Sequence, residues 1–517
     1  MLILHSRDDI VSNHLRRVIV NIVKAVGRLT LIVLLSKSIL IQLQCVRKKT
    51  EQTPRQTMEK IDFIRRSSNS EIMQTSSTTN ILNAKEIDTL QVLKQALEID
   101  LGFHSEVSSE MSHDFHAFPA KFPPQLPRLF IEYLTQPGEK VLDPMMGSGT
   151  TVLEAVSSGR VGIGFDIDPL ATILSKVKVT HLDVEIVQTI GNNLIARAEE
   201  AILETNAIEN ALAQRFTPKT KEFVDYWFAH QTQIELLALI QEIEKITEPD
   251  IREFYELIFS AIIITKSGGV SLAWDLAHTR PHKLNQGISK TYKPAIKDFR
   301  RRLTKNLQGL QEVVSNTANG TALVSFGSAE HLPLANDSID LIVTSPPYAS
   351  NAIDYMRAHK FSLIWLGKEI DILSKLRSKY IGGENVTNFE FAHLPKETEN
   401  IVKDIVELDA KKGATLHRYY SEMDRVLTQS FRVLKPSKAA LIVVGSSTMR
   451  GKDTRTQDCI GEIAVSLGFD LIGIATRKLD RDRRMMPARR NKQNSQIEER
   501  MHEEYVIALQ KPMKGGS

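Results

Sequence analysis

A chain of 517 residues is longer than one ordinary domain, so a core of about 250 residues with one or two additions is expected. A hydrophobic fraction of 42% beside 25% charged residues excludes a disordered or fibrous chain. The net charge of only +4 means that any nucleic-acid contact must come from local patches, not from the overall balance.

The two cysteines, Cys45 and Cys459, lie far apart and in no ligand spacing, which disfavours a disulfide framework or a zinc site and fits a reducing, cytoplasmic setting. No other metal-ligand pattern stands out. Leu29 to Leu43 is an apolar run behind Arg16, Arg17, Lys24 and Arg28, the outline of a signal peptide. Lys37 interrupts it, and it is short for a bilayer span, so no stable membrane association is expected. Thr50 to Asn83 is rich in Gln, Ser, Thr and charge without periodicity and reads as a linker. Residues 1–86 are therefore taken as a poorly ordered extension and linker.

From residue 87 the texture is that of a folded enzyme. Pro137 to Lys140 forms a turn, Val141-Leu142 a short buried strand, Gly147 to Thr151 a tight loop, and Val152 to Ser157 a helix. Val161 to Phe165 is a second strand ending at Asp166, and Pro169 to Val177 is a helix again. Strand, helix, strand, helix marks a parallel sheet. Val184 to Leu212 and Ile234 to Ile264 carry apolar residues at helical spacing with no strand pattern between them, a helical insertion. Strand texture resumes at Ala322 to Phe326 and Ile339 to Val343, then at Ala439 to Val444, Leu471 to Ala475 and Tyr505 to Leu509, with a helix over Asp458 to Leu467. The count is seven strands, enough for one doubly wound α/β sheet. Three parts follow: a cofactor-binding half over 87–183, the insertion over 184–320, and a catalytic half over 321–517.

In Asp143-Pro144-Met145-Met146-Gly147-Ser148-Gly149-Thr150-Thr151 the glycines permit a sharp turn at the carboxyl end of a strand, where open α/β sheets bind ligands. The loop opens a helix whose amides suit a carboxylate. Asp166, about 20 residues on, is placed for ribose hydroxyls. A structural strand-to-helix turn with a surface Asp explains the same residues. A Walker loop does not, because Thr150 stands where its Lys belongs.

Ser345-Pro346-Pro347-Tyr348 directly follows a strand. An exocyclic amine of a base has its lone pair delocalised into the ring, so direct methylation needs acceptors that draw the nitrogen toward tetrahedral geometry. Ser345 supplies a hydroxyl oxygen and the stiff Pro346-Pro347 pair holds out the Pro346 carbonyl. Tyr348 offers an aromatic face for a flipped base. A proline-stiffened turn is the alternative.

Asp143 to Thr151 resembles motif I of the DNA amino-methyltransferases, the tetrapeptide resembles their motif IV, and Phe115, Phe118, Pro119, Ala120, Lys121, Phe122 and Pro123 resemble their motif X. Asn351 to Arg357 and His359 to Gly367 look similar to the family as well. The resemblance implies a class I S-adenosylmethionine-dependent fold with S-adenosyl-L-methionine as cofactor. It implies cofactor contacts from Phe118, Pro119, Lys121, Asp143, Pro144, Gly147, Ser148, Gly149, Thr150, Thr151, Asp166 and Ser328, and catalysis by Ser345, Pro346, Pro347 and Tyr348. The Ser form of motif IV is associated chiefly with cytosine N4. One departure is Ser328, where the family usually carries Asp toward the cofactor's adenine; Glu330 is a possible compensation.

The motif order is the family's alpha arrangement, which makes the insertion the candidate for target recognition. Lys266, Arg280, His282 and Lys283 cluster there around Trp274, and Arg481, Arg483, Arg484, Arg489 and Arg490 form a denser patch between the last two strands. Both suit phosphate contacts, and the first equally suits a solvated loop. The expected activity is site-specific DNA methylation, cytosine N4 ahead of adenine N6, in a restriction-modification setting with a possible cognate endonuclease. RNA as substrate, through guanine-N2 methylation of tRNA, and a non-catalytic nucleic-acid-binding module are the alternatives.

Overall fold

The structure, a computed structural model, describes residues 89–103, 111–118, 123–263, 265, 269–273, 291–316, 320–349, 354–445, 447–478 and 503–513. Two helices, α1 (Thr89–Leu97) and α2 (Gln125–Leu134), precede the sheet. Then follow β1 (Lys140–Asp143), α3 (Thr150–Ser157), β2 (Val161–Asp166) and α4 (Pro169–Val179). After a helical stretch come β3 (Thr321–Phe326) and β4 (Ile339–Thr344). The remaining strands of the main sheet are β5 (Leu434–Gly445), β8 (Asp470–Lys478) and β9 (Glu503–Gln510), with a small ribbon of β6 (Thr448–Met449) and β7 (Lys452–Asp453) between them.

The sheet runs β3-β2-β1-β4-β5-β9-β8. β9 pairs antiparallel with both neighbours, and the other pairings are parallel. This is the doubly wound, mostly parallel seven-stranded class I sheet expected from the sequence, and each strand lies where a short apolar run predicts it. Such runs mark strands covered by helices on both faces, and all six residues of β4 are buried. Between β1 and β4 the winding reverses, and that switch point opens the crevice in which α/β sheets bind ligands.

The insertion is helical, but each of its two predicted runs is divided. The first is α5 (Val184–Ala201) and α6 (Thr205–Arg215). No proline or glycine marks that break. After α7 (Pro218–Trp227), the second run is α8 (His230–Glu244) and α9 (Pro249–Ile263), and α10 (Ala295–Asn316) returns the chain to β3. The second division has a clear cause: Pro249 has no N–H and can begin a helix but not continue one.

Four helices lie between β4 and β5: α11 (Tyr355–Leu363), capped by Asp354, and α12 (Ile370–Arg377), α13 (Lys396–Leu408) and α14 (Ala410–Val433), which have no counterpart in the sequence reading. The last helix, α15 (Thr456–Ser466), was expected. No helix among the described residues is long and apolar enough to cross a membrane.

Buried Arg418 on α14 shapes the segment after α12. Its Nε donates to Glu422 Oε1 at 2.8 Å, and its Nη2 donates to the carbonyls of Ser378 and Tyr380 at 3.0 and 3.3 Å. Glu422 Oε2 in turn accepts from the Gly382 amide at 2.8 Å. Arg418→Met leaves Glu422 buried without its cation, and breaking such a pair costs about 3–5 kcal/mol. Urea unfolding of the variant should show a loss of that order, and an unchanged midpoint would remove Arg418 from its structural role.

Candidate active site

Asp143, the last residue of β1, is 2% exposed. Its Oδ1 accepts from Thr344 Oγ1 at 2.7 Å and from the Met145 amide at 3.2 Å. Burial nevertheless pushes its carboxyl up to about 6. The loop then turns through Gly147 and Gly149 with φ of +47° and +73°, the left-handed region that glycine enters at no steric cost. Gly149 is also needed for room, since a Cβ there would lie 2.6 Å from Ser175 Oγ. The Ser175 hydroxyl donates to the Gly147 carbonyl at 3.0 Å and Lys178 Nζ donates to the Ser148 carbonyl at 2.6 Å, so α4 holds the loop from behind. The hydroxyls of Ser148 and Thr150 lie 3.3 Å apart, and Thr151 Oγ1 donates to the Val343 carbonyl of β4 at 3.2 Å.

Asp166 ends β2. It accepts from the Gly147 amide at 2.8 Å on Oδ2 and from the Asp168 amide at 2.8 Å on Oδ1. Burial first, and the neighbouring Asp168 charge second, push its carboxyl up to about 7.

Asp168, not singled out in the sequence, caps α4 by accepting from the Leu170 and Ala171 amides at 2.8 and 3.2 Å. Its other oxygen meets His359 Nδ1 at 2.7 Å and accepts from the Tyr380 hydroxyl at 2.8 Å. Burial acts to raise its carboxyl, but His359 and Tyr380 outweigh that and hold it below the usual range. His359 lies four residues after Tyr355, one turn along α11, so both side chains share a face. Phe118 stacks on Tyr355 with centroids 5.2 Å apart and touches the His359 ring at the same distance. The available signal for this cluster was the Tyr355/His359 spacing.

The tetrapeptide follows Thr344, whose hydroxyl bond to Asp143 fastens the end of β4 to the end of β1. Pro346 is buried, and Ser345, Pro347 and Tyr348 are half-buried. Ser345 and Pro347 line a cavity of about 590 Å³ together with Asp143, Gly147 and Asp166. Pro144, Ser148, Thr150 and Ser328 are on its wall too. The Ser328 hydroxyl is engaged locally, accepting from the Glu330 amide at 3.2 Å. Tyr348 turns instead to the neighbouring strands, its hydroxyl donating to Glu504 Oε1 at 2.8 Å.

None of the described residues of 184–320 lines the cavity. Its outer wall comes from Ser374 to Asn385 and from Lys412, Thr415 and Arg418. Pro119, Lys121, Lys266, Arg280, His282, Lys283, Arg481, Arg483, Arg484, Arg489 and Arg490 lie outside the described residues. Among the described residues no group of three or more His, Cys, Asp or Glu is placed to hold a metal ion.

The donor set fits S-adenosylmethionine. A half-buried carboxylate at the end of β2, on the cavity wall, suits ribose hydroxyls, the start of α3 with its glycine turn suits a carboxylate, and the Phe118–Tyr355 stack offers π faces for a cationic sulfonium. Bound there, the cofactor supplies an activated methyl group.

A family model described as DNA methylase, of the N6/N4 methyltransferase type, matches residues 42–174. The type II methyltransferase M.MvaI of Kocuria varians is 25% identical over 386 residues, covering 70% of this chain and 83% of the relative. The type II methyltransferase M.BsoBI of Geobacillus stearothermophilus is 24% identical over 377 residues, covering 67% and 69%. Over a shorter stretch of 73 residues, the type II methyltransferase M.BglI of Bacillus subtilis is 44% identical, covering 14% and 20%.

The raised Asp166 carboxyl carries a pH signature. Below about 7 the group is protonated in the free chain, whereas hydroxyl donors from a ribose favour the carboxylate. S-adenosylmethionine should therefore bind more tightly as pH rises from 5.5 to about 7, with proton release on binding in that window, and the affinity should level off above it. Isothermal titration in two buffers of different ionisation enthalpy reads both effects. Asp166→Asn should weaken binding and flatten the slope; a slope that persists in this variant would assign it to another group.

Proposed function

We propose, from the premise that the chain belongs to the DNA amino-methyltransferases and uses S-adenosylmethionine as its cofactor, that its acceptor is the N4 amine of cytosine within a specific DNA site. The observation that carries this reading is the convergence of Ser345 and Pro347 with Asp143, Gly147 and Asp166 on one cavity. A methyl donor held along the β1 and β2 ends and an amine held at the β4 end would meet there.

In this reading Ser345 Oγ and the Pro346 carbonyl accept the two amine hydrogens, so the nitrogen lone pair turns out of the ring plane toward the methyl group. Positioning supplies most of the rate, because the methyl group arrives already activated. Ser345 in the first place of the tetrapeptide favours cytosine, since that form resembles the one associated chiefly with N4 methylation. Aromatic Tyr355, beside Phe118 on the cavity wall, is better exposed to a flipped base than Tyr348, which is tied to Glu504.

Arg357, Arg377, Lys379 and Lys412 stand at the cavity wall and would serve the flanking phosphates. Arg481, Arg483, Arg484, Arg489 and Arg490 are proposed as further phosphate contacts: β8 ends at Lys478 and β9 begins at Glu503, at the same edge of the sheet as Ser345. Lys266, Arg280 and Lys283 of the insertion keep the same assignment. A cytoplasmic setting and a cognate endonuclease recognising the same DNA site complete the proposal.

Incubation with tritiated S-adenosylmethionine and either unmethylated plasmid DNA or total tRNA, followed by nucleoside analysis, decides the acceptor. N4-methylcytosine in DNA is expected. N6-methyladenine in DNA or methylguanosine in tRNA would replace the cytosine reading, and no transfer to either would favour a binding module. Ser345→Ala should lower kcat by about 10²-fold or more, as loss of one preorganised contact does, while cofactor binding is kept; near-parental turnover would remove Ser345 from catalysis.

A further inference from the structure

One rung across the sheet carries Gly445 of β5, Glu504 of β9 and Arg477 of β8, side by side in register. The rung lies at the tetrapeptide's edge of the sheet. Tyr348 packs its ring on Gly445, where a Cβ would come 2.4 Å from Cε2, so glycine is what leaves space for the ring. The Tyr348 hydroxyl donates to Glu504 Oε1 at 2.8 Å, and Glu504 Oε2 faces Arg477 Nη1 at 3.2 Å.

Arg477 is 1% exposed and Glu504 9%. Taking an arginine and a carboxylate out of water costs more than an apolar pair in the same space, so the pair is not explained by sheet stability. Its chemistry points toward Tyr348 instead. Burial and the Glu504 charge both raise the phenol well above its ordinary value, which keeps it a donor at every working pH. Its proton is committed to Glu504, so the last residue of the tetrapeptide is tied to β9 by its side chain as well as to β5 by the packing of its ring.

We propose that Glu504, charge-balanced by Arg477, is a positioning residue for methyl transfer: it fixes the Tyr348 hydroxyl and with it the Pro346-Pro347 turn that carries Ser345 at the cavity. This rests on the role given to Ser345 above. Glu504 itself touches neither cofactor nor base in this assignment. Its effect is therefore on kcat, not on cofactor affinity.

The test compares full-length variants in methyl transfer to unmethylated plasmid DNA. Arg477→Leu with Glu504→Leu replaces the ion pair by an apolar one and removes the phenol's acceptor. It should keep the parental melting temperature within a few degrees, keep the KM for S-adenosylmethionine, and lower kcat about tenfold, the effect of one hydrogen bond. Glu504→Gln keeps an acceptor oxygen and should retain most of the parental kcat. Tyr348→Phe should lower kcat about tenfold in the parent and cause no further loss in the double-leucine background. Parental kcat in the double-leucine variant, or an equal loss from Tyr348→Phe in both backgrounds, overturns the proposal. Should the double-leucine chain fail to fold, Tyr348→Phe decides by itself, an unchanged kcat overturning the proposal and a tenfold loss with unchanged KM supporting it. No methyl transfer by the parent chain overturns the underlying reading as well, so the two failures are told apart.

Discussion

Three carboxylates gather at the ends of the first two strands, Asp143 and Asp168 buried and Asp166 half-buried, and the site is built around satisfying them. A buried carboxylate without donors is costly. The donors here are the amides of Met145, Gly147, Asp168, Leu170 and Ala171, together with the hydroxyls of Thr344 and Tyr380. The Met145 and Gly147 amides belong to the loop that would hold the cofactor, and the Leu170 and Ala171 amides to the start of α4 behind it, so the cost of burial fixes the shape of the loop. The three groups are held in different states: Asp143 and Asp166 lie high because burial dominates, and Asp168 lies low because a histidine and a tyrosine face it.

The same constraint joins the two halves of the site. Asp143 and Thr344 are 201 positions apart in the chain, yet one 2.7 Å hydrogen bond links them because β1 and β4 are neighbours in the sheet. The residue after Thr344 is Ser345, so the tetrapeptide leaves the sheet at a height set by the Asp143 carboxylate. Thr151 repeats the link from the other side, donating to the Val343 carbonyl. Ends of adjacent parallel strands at a switch point are the place where two distant motifs meet without any element having to reach.

Much of this was legible in the sequence because its signals are local. Short apolar runs ending in Asp143, Asp166 and Ser345 give strand, end and chemistry in one reading, and all seven strands of the sheet follow from such runs. Hidden features are those whose partners are far away in sequence. Asp168 needs His359 and Tyr380, and Tyr348 needs Glu504, contacts that no spacing announces. Arg477 and Glu504 lie just outside the runs that read as strands, and only antiparallel pairing of β8 with β9 sets them together. Helices α12 and α13 escaped for another reason: between Lys368 and Leu408 charged residues are dense and interleaved with short apolar pairs, so amphipathic helices there resemble loops.

The insertion gains a structural meaning from the two faces of α11. One face sends Tyr355 and His359 toward Phe118 and Asp168 at the cavity. The other sends Phe361 into edge contacts with Phe223 and Trp227, both with centroids 4.9 Å away, and the adjoining Trp365 packs on Phe216 and Phe228 at 5.0 and 5.6 Å. All four partners come from the insertion, and Trp365 is fully buried among them. Aromatic pairs of this kind add to the burial of their area and are sensitive to geometry. Insertion and cavity wall are therefore two sides of one helix: the described part of 184–320 packs on α11, and on α4 through Lys176 with Asp250 and Glu253, while the segment from Ser374 to Arg418 borders the cavity directly. The packing of the insertion thus bears on Asp168 by two routes, through the His359 ring that faces its carboxylate and through α4, whose start Asp168 caps and whose Lys176 pairs with Asp250 and Glu253.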